Sequence, residues 1–308
     1  MRFNKWCVHW LDVYKKRFIK SSTYESYSFS CSHINCKKKL EKLKLSDLQK
    51  IINKMVDEGL ARSTIKHTVT IMVQACRRAH ALGYCNSFDF SLLELPHDNP
   101  KKVCALTIEE QKILLYNSKN SFYGDLFLFL LYSGLRVGEL IALRWSDVDI
   151  YNGIIKITRT DYRGREQDVK TASSQRDIPI SSELKTLLKR HFVVGGQYVF
   201  TNTLGGKVNY RSLLDCWHTF TAAAGLPLCG VHVLRHTYAT NALRAGVNVK
   251  VLSELLGHKS ITVTLNIYTD VAADDKYHAA CQISEFLERE QKNERNFAKK
   301  RHDKIFAE

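Results

Sequence analysis

The stretch Ser133-Gly-Leu-Arg136-Val-Gly-Glu139-Leu140 decides how the second half of the chain folds. Before it runs Leu126 to Tyr132, apolar and uncharged, and after it Val137, Leu140, Ile141 and Leu143 recur at helical spacing. Two core helices are expected, joined where Gly134 lets the backbone turn sharply. Arg136 then stands at a helix start, where unpaired amides and the positive end of the helix dipole favour an anion. Its planar fork of donors suits a phosphate. Glu139, three residues on, shares the helix face and can fix the arginine rotamer. An isolated arginine at a helix start reads more readily as a surface ion pair of little energetic weight, so its meaning depends on what the rest of the chain supplies.

Downstream, Ile154-Ile-Lys-Ile-Thr158 alternates like a strand, Arg163-Gly164 marks a turn, and Asp177-Ile-Pro-Ile180 reads as another strand ending at Pro179. Helical patterns then return over 182–192, 210–224, 233–245, 248–256 and 260–269. Upstream, Thr107-Ile-Glu-Glu110 is a capping box that opens a new domain. It follows a stretch rich in turn formers and charge between about 86 and 105, which has the character of a linker. In the first 85 residues Trp6, Trp10, Val13 and Tyr14 mark one helix and Leu48, Ile51, Ile52 and Met55 another. A long third helix runs from Arg62 to Leu82, with Ile65, Val69, Met72 and Cys76 as its stripe and Gly83 as its stop. The fold class expected is mainly α with a small antiparallel β-sheet. The boundaries expected are a helical domain over 1–95, a linker over 96–105, an α+β domain over 106–275, and a C-terminal helix with a charged tail over 276–308. In that last segment Tyr277, Ala280, Ile283, Phe286 and Leu287 form an amphipathic stripe.

Composition narrows the function. The chain has 308 residues, enough for two domains, and carries 46 Lys and Arg against 31 Asp and Glu, a formal +15. Of these, 17 basic and 9 acidic residues fall in the first 100. A polyanionic partner is implied, with nucleic acid first in line, although runs such as Lys37-Lys38-Lys39 also suit a merely solvated face. The nine cysteines are an odd, scattered set that fits a reducing cytosol rather than a disulfide framework. Cys31-Ser-His33-Ile-Asn-Cys36 resembles half a metal site, but no second pair with zinc-like spacing follows. The charged N-terminal stretch lacks the apolar core of a signal peptide. The longest apolar run is far short of a bilayer span, so no membrane role is expected.

Four separated segments carry the chemistry: Ser133 to Leu140, Val169-Lys170-Thr171, His232-Val-Leu-Arg235-His-Thr237, and Leu256-Gly-His258 followed ten residues later by Tyr268. His232 and Arg235 are three apart on a helix, so they point the same way and offer a second guanidinium beside an imidazole. Two such forks can cradle one phosphate, and each preplaced donor to a developing negative charge is worth roughly 2.7–4 kcal/mol in a dry site. His236 reads as a packing residue. Lys170 lies between strand-like stretches, where alone it would be an ordinary solvated lysine. Lys156 and Lys207 are weaker candidates than Lys170 for a reactive lysine. His258 follows Gly257, read as a helix-ending glycine, and precedes Ser260, a candidate cap for the next helix. Tyr268, alone, would be a core residue. A phenol with a pKa near 10 becomes a nucleophile at neutral pH only beside clustered positive charge.

The order and spacing of these segments resemble the tyrosine recombinase (phage integrase) family, closely over residues 105–275. Ser22-Thr-Tyr-Glu-Ser-Tyr27 and Arg62-Ser-Thr-Ile-Lys66 look like parts of the family's core-binding domain. The resemblance implies six catalytic residues: Arg136, Lys170, His232, Arg235, His258 and Tyr268. Lys170 would be the general acid to a leaving 5′ alkoxide, His258 a phosphate donor, and Tyr268 the nucleophile. Val233 departs from the pattern, in which Asp is common after the histidine; altered helix support is expected there, with the chemistry retained. The implied reaction exchanges one ester for another through a 3′-phosphotyrosyl link and calls for no cofactor and no metal. The sequence has no phosphate-binding G-x-x-x-x-G-K-[ST] loop. Expected partners are double-stranded DNA, clamped between two basic lobes, and further copies of the chain in a tetramer on paired sites. Accessory directionality factors are a further expected partner, and the expected location is the cytoplasm, with the nucleoid. Integration and excision of a mobile element is the expected role. Xer-type resolution, type IB topoisomerase activity and inactive sequence-specific DNA binding stay open as alternatives.

Overall fold

The computed structural model describes residues 1–97, 105–168, 175–265 and 284. Lys170, Tyr268 and the 277–287 stripe lie outside the described residues. The chain divides into two compact units, Met1–Lys102 and Val103–Glu308.

The first unit is helical. It contains α1 (Phe3–Trp10), α2 (Ser21–Ser32), α3 (Leu45–Asp57) and α4 (Arg62–Ala81). The α4 helix is the central element, since α1, α2 and α3 all pack on it. Its stripe of Ile65, Val69, Met72 and Cys76 is buried, as are Leu48, Ile51, Ile52 and Met55 of α3. The buried Trp6 indole donates to the Ala75 carbonyl at 2.9 Å, which satisfies the one polar atom of a large side chain. Gly83, at φ 73°, follows the helix in the left-handed conformation that glycine takes without penalty.

The first helical stripe needs correction. Trp6 and Trp10 are buried but Val13 is 51% exposed, and Leu11 takes the inward place. Residues Leu11–Lys15 form a π-helical turn, with the Lys16 amide donating to the Leu11 carbonyl at 2.9 Å. The wider turn inserts an extra residue and rotates the following side chains away from the face that a 3.6-residue period assigns them. Cys7, Cys31, Cys36, Cys76 and Cys85 are buried in this unit's core as free thiols.

The second unit begins at α5 (Ile108–Asn117), whose capping box is formed: the Thr107 amide donates to the Glu110 carboxylate at 2.7 Å, and the Glu110 amide donates to the Thr107 hydroxyl at 3.2 Å. The apolar run becomes α6 (Gly124–Ser133), with Leu126 through Leu131 all buried. Against α6 pack α7 (Val137–Ile141), α8 (Ser182–His191) and α10 (Val233–Arg244). Gly134 ends α6 at φ 64°, and a Cβ there would come within 2.4 Å of the Tyr238 ring. Glycine is therefore required twice over, by the backbone and by the close approach of α10. Among the described residues the further α-helices are α9 (Tyr210–Ala223) and α11 (Val249–Leu256), and residues 261–265 are helical as well.

The expected small sheet is two antiparallel pieces. Strands β1 (Val148–Asp149), β2 (Ile154–Ile157) and β5 (Arg176–Pro179) form a three-stranded sheet in the order β1-β2-β5. Ile155 faces Ile178 across it, and both are buried with Ile157. Strands β3 (Arg159–Tyr162) and β4 (Arg165–Asp168) form a separate hairpin that the sequence pattern did not reveal beyond its turn. Arg163 (φ 50°) and Gly164 (φ 85°) occupy its two-residue loop, where positive φ at both positions matches the twist of the flanking strands. Among the described residues no helix is long and apolar enough to cross a membrane.

Candidate active site

The site forms where the C-terminal end of α11 meets the α6–α7 turn and the first turn of α10. Helix α11 ends at Gly257, left-handed at φ 64°. The carbonyls of its last turn point outward without helical partners. Three arginines take three successive ones: Arg176 Nε donates to Leu255 at 2.6 Å, Arg235 Nη2 to Leu256 at 2.6 Å, and Arg136 Nη2 to Gly257 at 3.1 Å. The negative end of the helix dipole favours this gathering of cations. It also fixes the forks close together despite their mutual repulsion.

Arg136 caps α7, and Glu139 closes the turn behind it. The buried Glu139 carboxylate accepts from the Arg136 amide at 2.9 Å and from Arg136 Nη1 at 2.8 Å. It also accepts from both terminal nitrogens of Arg176, at 3.1 and 2.8 Å. Burial by itself would raise the carboxyl pKa, but the Arg176 hydrogen bonds and the charges of Arg176 and Arg136 outweigh it and hold the group below its ordinary value. Glu139 thus stays ionised. It fixes the Arg136 rotamer as its spacing predicts, and it does so while shared with a second arginine.

Arg235 is 4% exposed on α10 and donates from Nη1 to the Gly134 carbonyl at 2.8 Å. Burial, and then the Arg136 charge, push its pKa down to about 9, which leaves it protonated at neutral pH. His232 lies one turn before it, with its ring edge-on to His236 at 5.0 Å between centroids. By area His232 is exposed, yet protein crowds its other sides. That desolvation, followed by His236, Arg235 and Arg136, lowers its pKa to about 4. His258 follows Gly257, and its Nδ1 lies 2.9 Å from the Thr264 hydroxyl. Burial and then the Arg235, Arg136 and Arg176 charges lower its pKa to about 4 as well. Both imidazoles are therefore neutral at pH 7 and offer one N–H each. Ser260 accepts from the Thr262 amide at 3.2 Å and caps the turn into 261–265, as its position after His258 suggests.

The structure thus brings Arg136, His232, Arg235 and His258 into one site. Lys170 and Tyr268 lie outside the described residues. Lys207 is committed elsewhere, donating to Asp161 at 2.5 Å and to the Gly164 carbonyl at 3.0 Å. Sequence reasoning missed Arg176 and Thr264. The signal for Arg176 was its place beside the Asp177-Ile-Pro179 strand, which gives no hint of a partner 37 residues away. What the described groups form is a cluster of positive charge and imidazoles built on a helix terminus, suited to an anionic phosphate whose charge grows during reaction.

The chain is similar to known recombinases and integrases. Residues 105–275 match the phage integrase family. The chain is 31% identical over 284 residues to a tyrosine recombinase XerC-like protein of Caldanaerobacter subterraneus subsp. tengcongensis, with 81% of this chain and 73% of that protein covered. It is 28% identical over 274 residues to the transposase from transposon Tn916 of Enterococcus faecalis, covering 76% of this chain and 65% of that protein. Among solved structures, the Tn1549 transposon integrase in complex with a circular intermediate DNA superposes with a TM-score of 0.79 at 22% identity, over 93% of this chain and 99% of that one. A lambda integrase dimer bound to a COC′ core site superposes with a TM-score of 0.70 at 20% identity, over 85% and 97%. These two likenesses are of fold. The chain belongs to the phage integrase family and is a tyrosine recombinase.

Proposed function

We propose that this recombinase cuts and rejoins double-stranded DNA to integrate and excise a mobile element. The observation that carries the reading is the pair of arginines, Arg136 and Arg235, held on adjacent carbonyls at the end of α11 with the His232 and His258 imidazoles beside them. In the reaction, Arg136 and Arg235 hold the non-bridging oxygens of the scissile phosphate and His232 and His258 donate to them. Tyr268 attacks phosphorus and gives its phenolic proton to solvent water, so that the tyrosyl–phosphorus ester forms as the P–O5′ bond breaks. Lys170 protonates the departing 5′ oxygen. The ester energy stays in the 3′-phosphotyrosyl link until the 5′ hydroxyl of a second strand reverses the step. As negative charge builds on the phosphate oxygens, preplaced donors gain strength without reorganising.

The transposases of Tn916 and of Tn554, the latter from Staphylococcus aureus and 28% identical over 211 residues, favour the mobile-element role. The XerC-like relative favours a second reading, resolution of joined DNA circles. A tetramer on paired sites fits a known neighbour, the lambda integrase tetramer bound to a Holliday junction. The 277–287 stripe would dock on a neighbouring copy within such a tetramer, and directionality factors would act on that assembly. A supercoiled plasmid carrying the two ends of the surrounding element tests the proposal. Joined ends and a closed circle are expected. Relaxed plasmid without joined ends would instead indicate a topoisomerase, and exchange confined to sites on circular dimers a resolvase.

A further inference from the structure

We infer that Arg176 is a positioning residue for the strand-cutting step, acting through the carboxylate it shares with Arg136. The inference rests on the reading of Arg136 as a phosphate-cradle residue. Arg176 begins β5 and faces Ile157 across the sheet. Its side chain is 6% exposed. It makes a two-pronged contact with Glu139 from Nη1 and Nη2 while Nε takes the Leu255 carbonyl. Its guanidinium also fills the space beside Gly257, where a Cβ would come within 3.0 Å of Nη1.

These contacts tie three things together. The first is the sheet, because Arg176 follows the segment that carries Lys170 and is itself paired to β2. The second is Arg136, because Glu139 cannot shift without leaving either arginine short of its anion. The third is the α11 terminus, from which His258 projects. A planar fork can hold both carboxylate oxygens and a carbonyl at once, whereas an ammonium on a flexible stem cannot. Without the Arg176 charge, the Glu139 carboxylate would answer to Arg136 alone and draw that guanidinium toward itself. Arg136 would then be less available to the phosphate. Because Arg176 meets the phosphate only through others, its loss should alter the rate of cutting and leave site binding in place.

The test is single-turnover cleavage of a nicked DNA site by the full chain, with either a phosphate or a neutral methylphosphonate at the scissile position. Arg176→Lys and Arg176→Gln are read beside Arg136→Ala, and each variant is checked by thermal unfolding and by gel shift on one site. Both Arg176 variants should bind normally and cut the phosphate on the order of tenfold more slowly, the scale of coupling between residues in one ion-pair network. The deficit should shrink on the methylphosphonate, which lacks the negative charge that Arg136 meets. Equal slowing on both substrates, or no slowing on the phosphate, would overturn the inference. Failure of both variants to unfold cooperatively would do the same, by making Arg176 a folding residue. If Arg136→Ala itself leaves phosphate cleavage intact, the cradle reading fails instead.

Discussion

The Nδ1 atom of His258 lies 2.9 Å from the hydroxyl of Thr264, a fully buried residue in the helical stretch 261–265. A neutral ring that accepts the hydroxyl proton at Nδ1 carries its own proton on Nε2, where a phosphate oxygen can receive it. Thr264→Val removes that tautomer control while keeping the shape. It should lower the cleavage rate roughly three- to tenfold, the scale of one net hydrogen bond, whereas Thr264→Ser should retain most of the rate. Single-turnover cleavage of the three proteins checks it.

The two cradle arginines should differ in what their loss disturbs. Arg136 side-chain exposure is 37%, and Arg136→Ala should cut cleavage by roughly a hundredfold or more, the scale for removing one oxyanion donor, with a smaller loss of DNA binding. Arg235 is buried on the Gly134 and Leu256 carbonyls, so its removal also strands two acceptors. Arg235→Ala should lose activity to a similar degree and unfold at a lower temperature as well. Equal losses of binding and cleavage in Arg136→Ala would mark it as a positioning contact only.

The depressed histidines fix the sign of a pH effect. His232 and His258 have pKa values near 4 in the folded chain against an ordinary 6.5, so the unfolded chain takes up these protons first. Their contribution to stability is complete above about pH 6.5 and is lost as pH falls toward 4. Because both rings keep contact with solvent, the effect is smaller than full burial would give. Thermal unfolding across pH 7 to 4 should show a falling midpoint, and His258→Gln should flatten the curve over that window. Glu139, held below its ordinary value, adds its own loss only at lower pH.

Much of this site was legible in the sequence because helical spacing carries direction. The 133–140 stretch placed Arg136 and Glu139 together, and the 232–237 stretch did the same for His232 and Arg235, with only local geometry to consult. The α11 terminus was foreseen from Gly257, though not the use three arginines make of its carbonyls. Those contacts join residues 21 to 121 positions apart, a relationship that periodicity does not encode. Val13 was misplaced for a different reason: a π-helical turn leaves no mark in composition and shifts the phase of everything after it. The β3–β4 hairpin escaped because Arg159-Thr-Asp-Tyr162 has one buried residue, Asp161, whose charge is met by Lys207. An apolar pattern cannot reveal a strand whose inward residue is an ion-paired carboxylate.

The basic charge of the first 100 residues makes a prediction about binding. If that unit contacts phosphates, removing residues 1–95 should weaken site binding strongly and flatten its dependence on salt, since each neutralised phosphate contributes roughly 0.9 to the slope. Gel shifts of the full and shortened chains between low and moderate salt measure this. An unchanged slope would locate the main phosphate contacts in the second unit.

The most direct measurement is the identity of the residue joined to DNA. The full chain is incubated with a nicked suicide site in the presence of a chelator, the covalent product is digested, and the peptide bearing nucleotide is identified by mass spectrometry. A 3′-phosphate ester on Tyr268 is expected, with no adduct from Tyr268→Phe while that variant still binds the site. An adduct mapped to another residue, or one that persists in Tyr268→Phe, would contradict it.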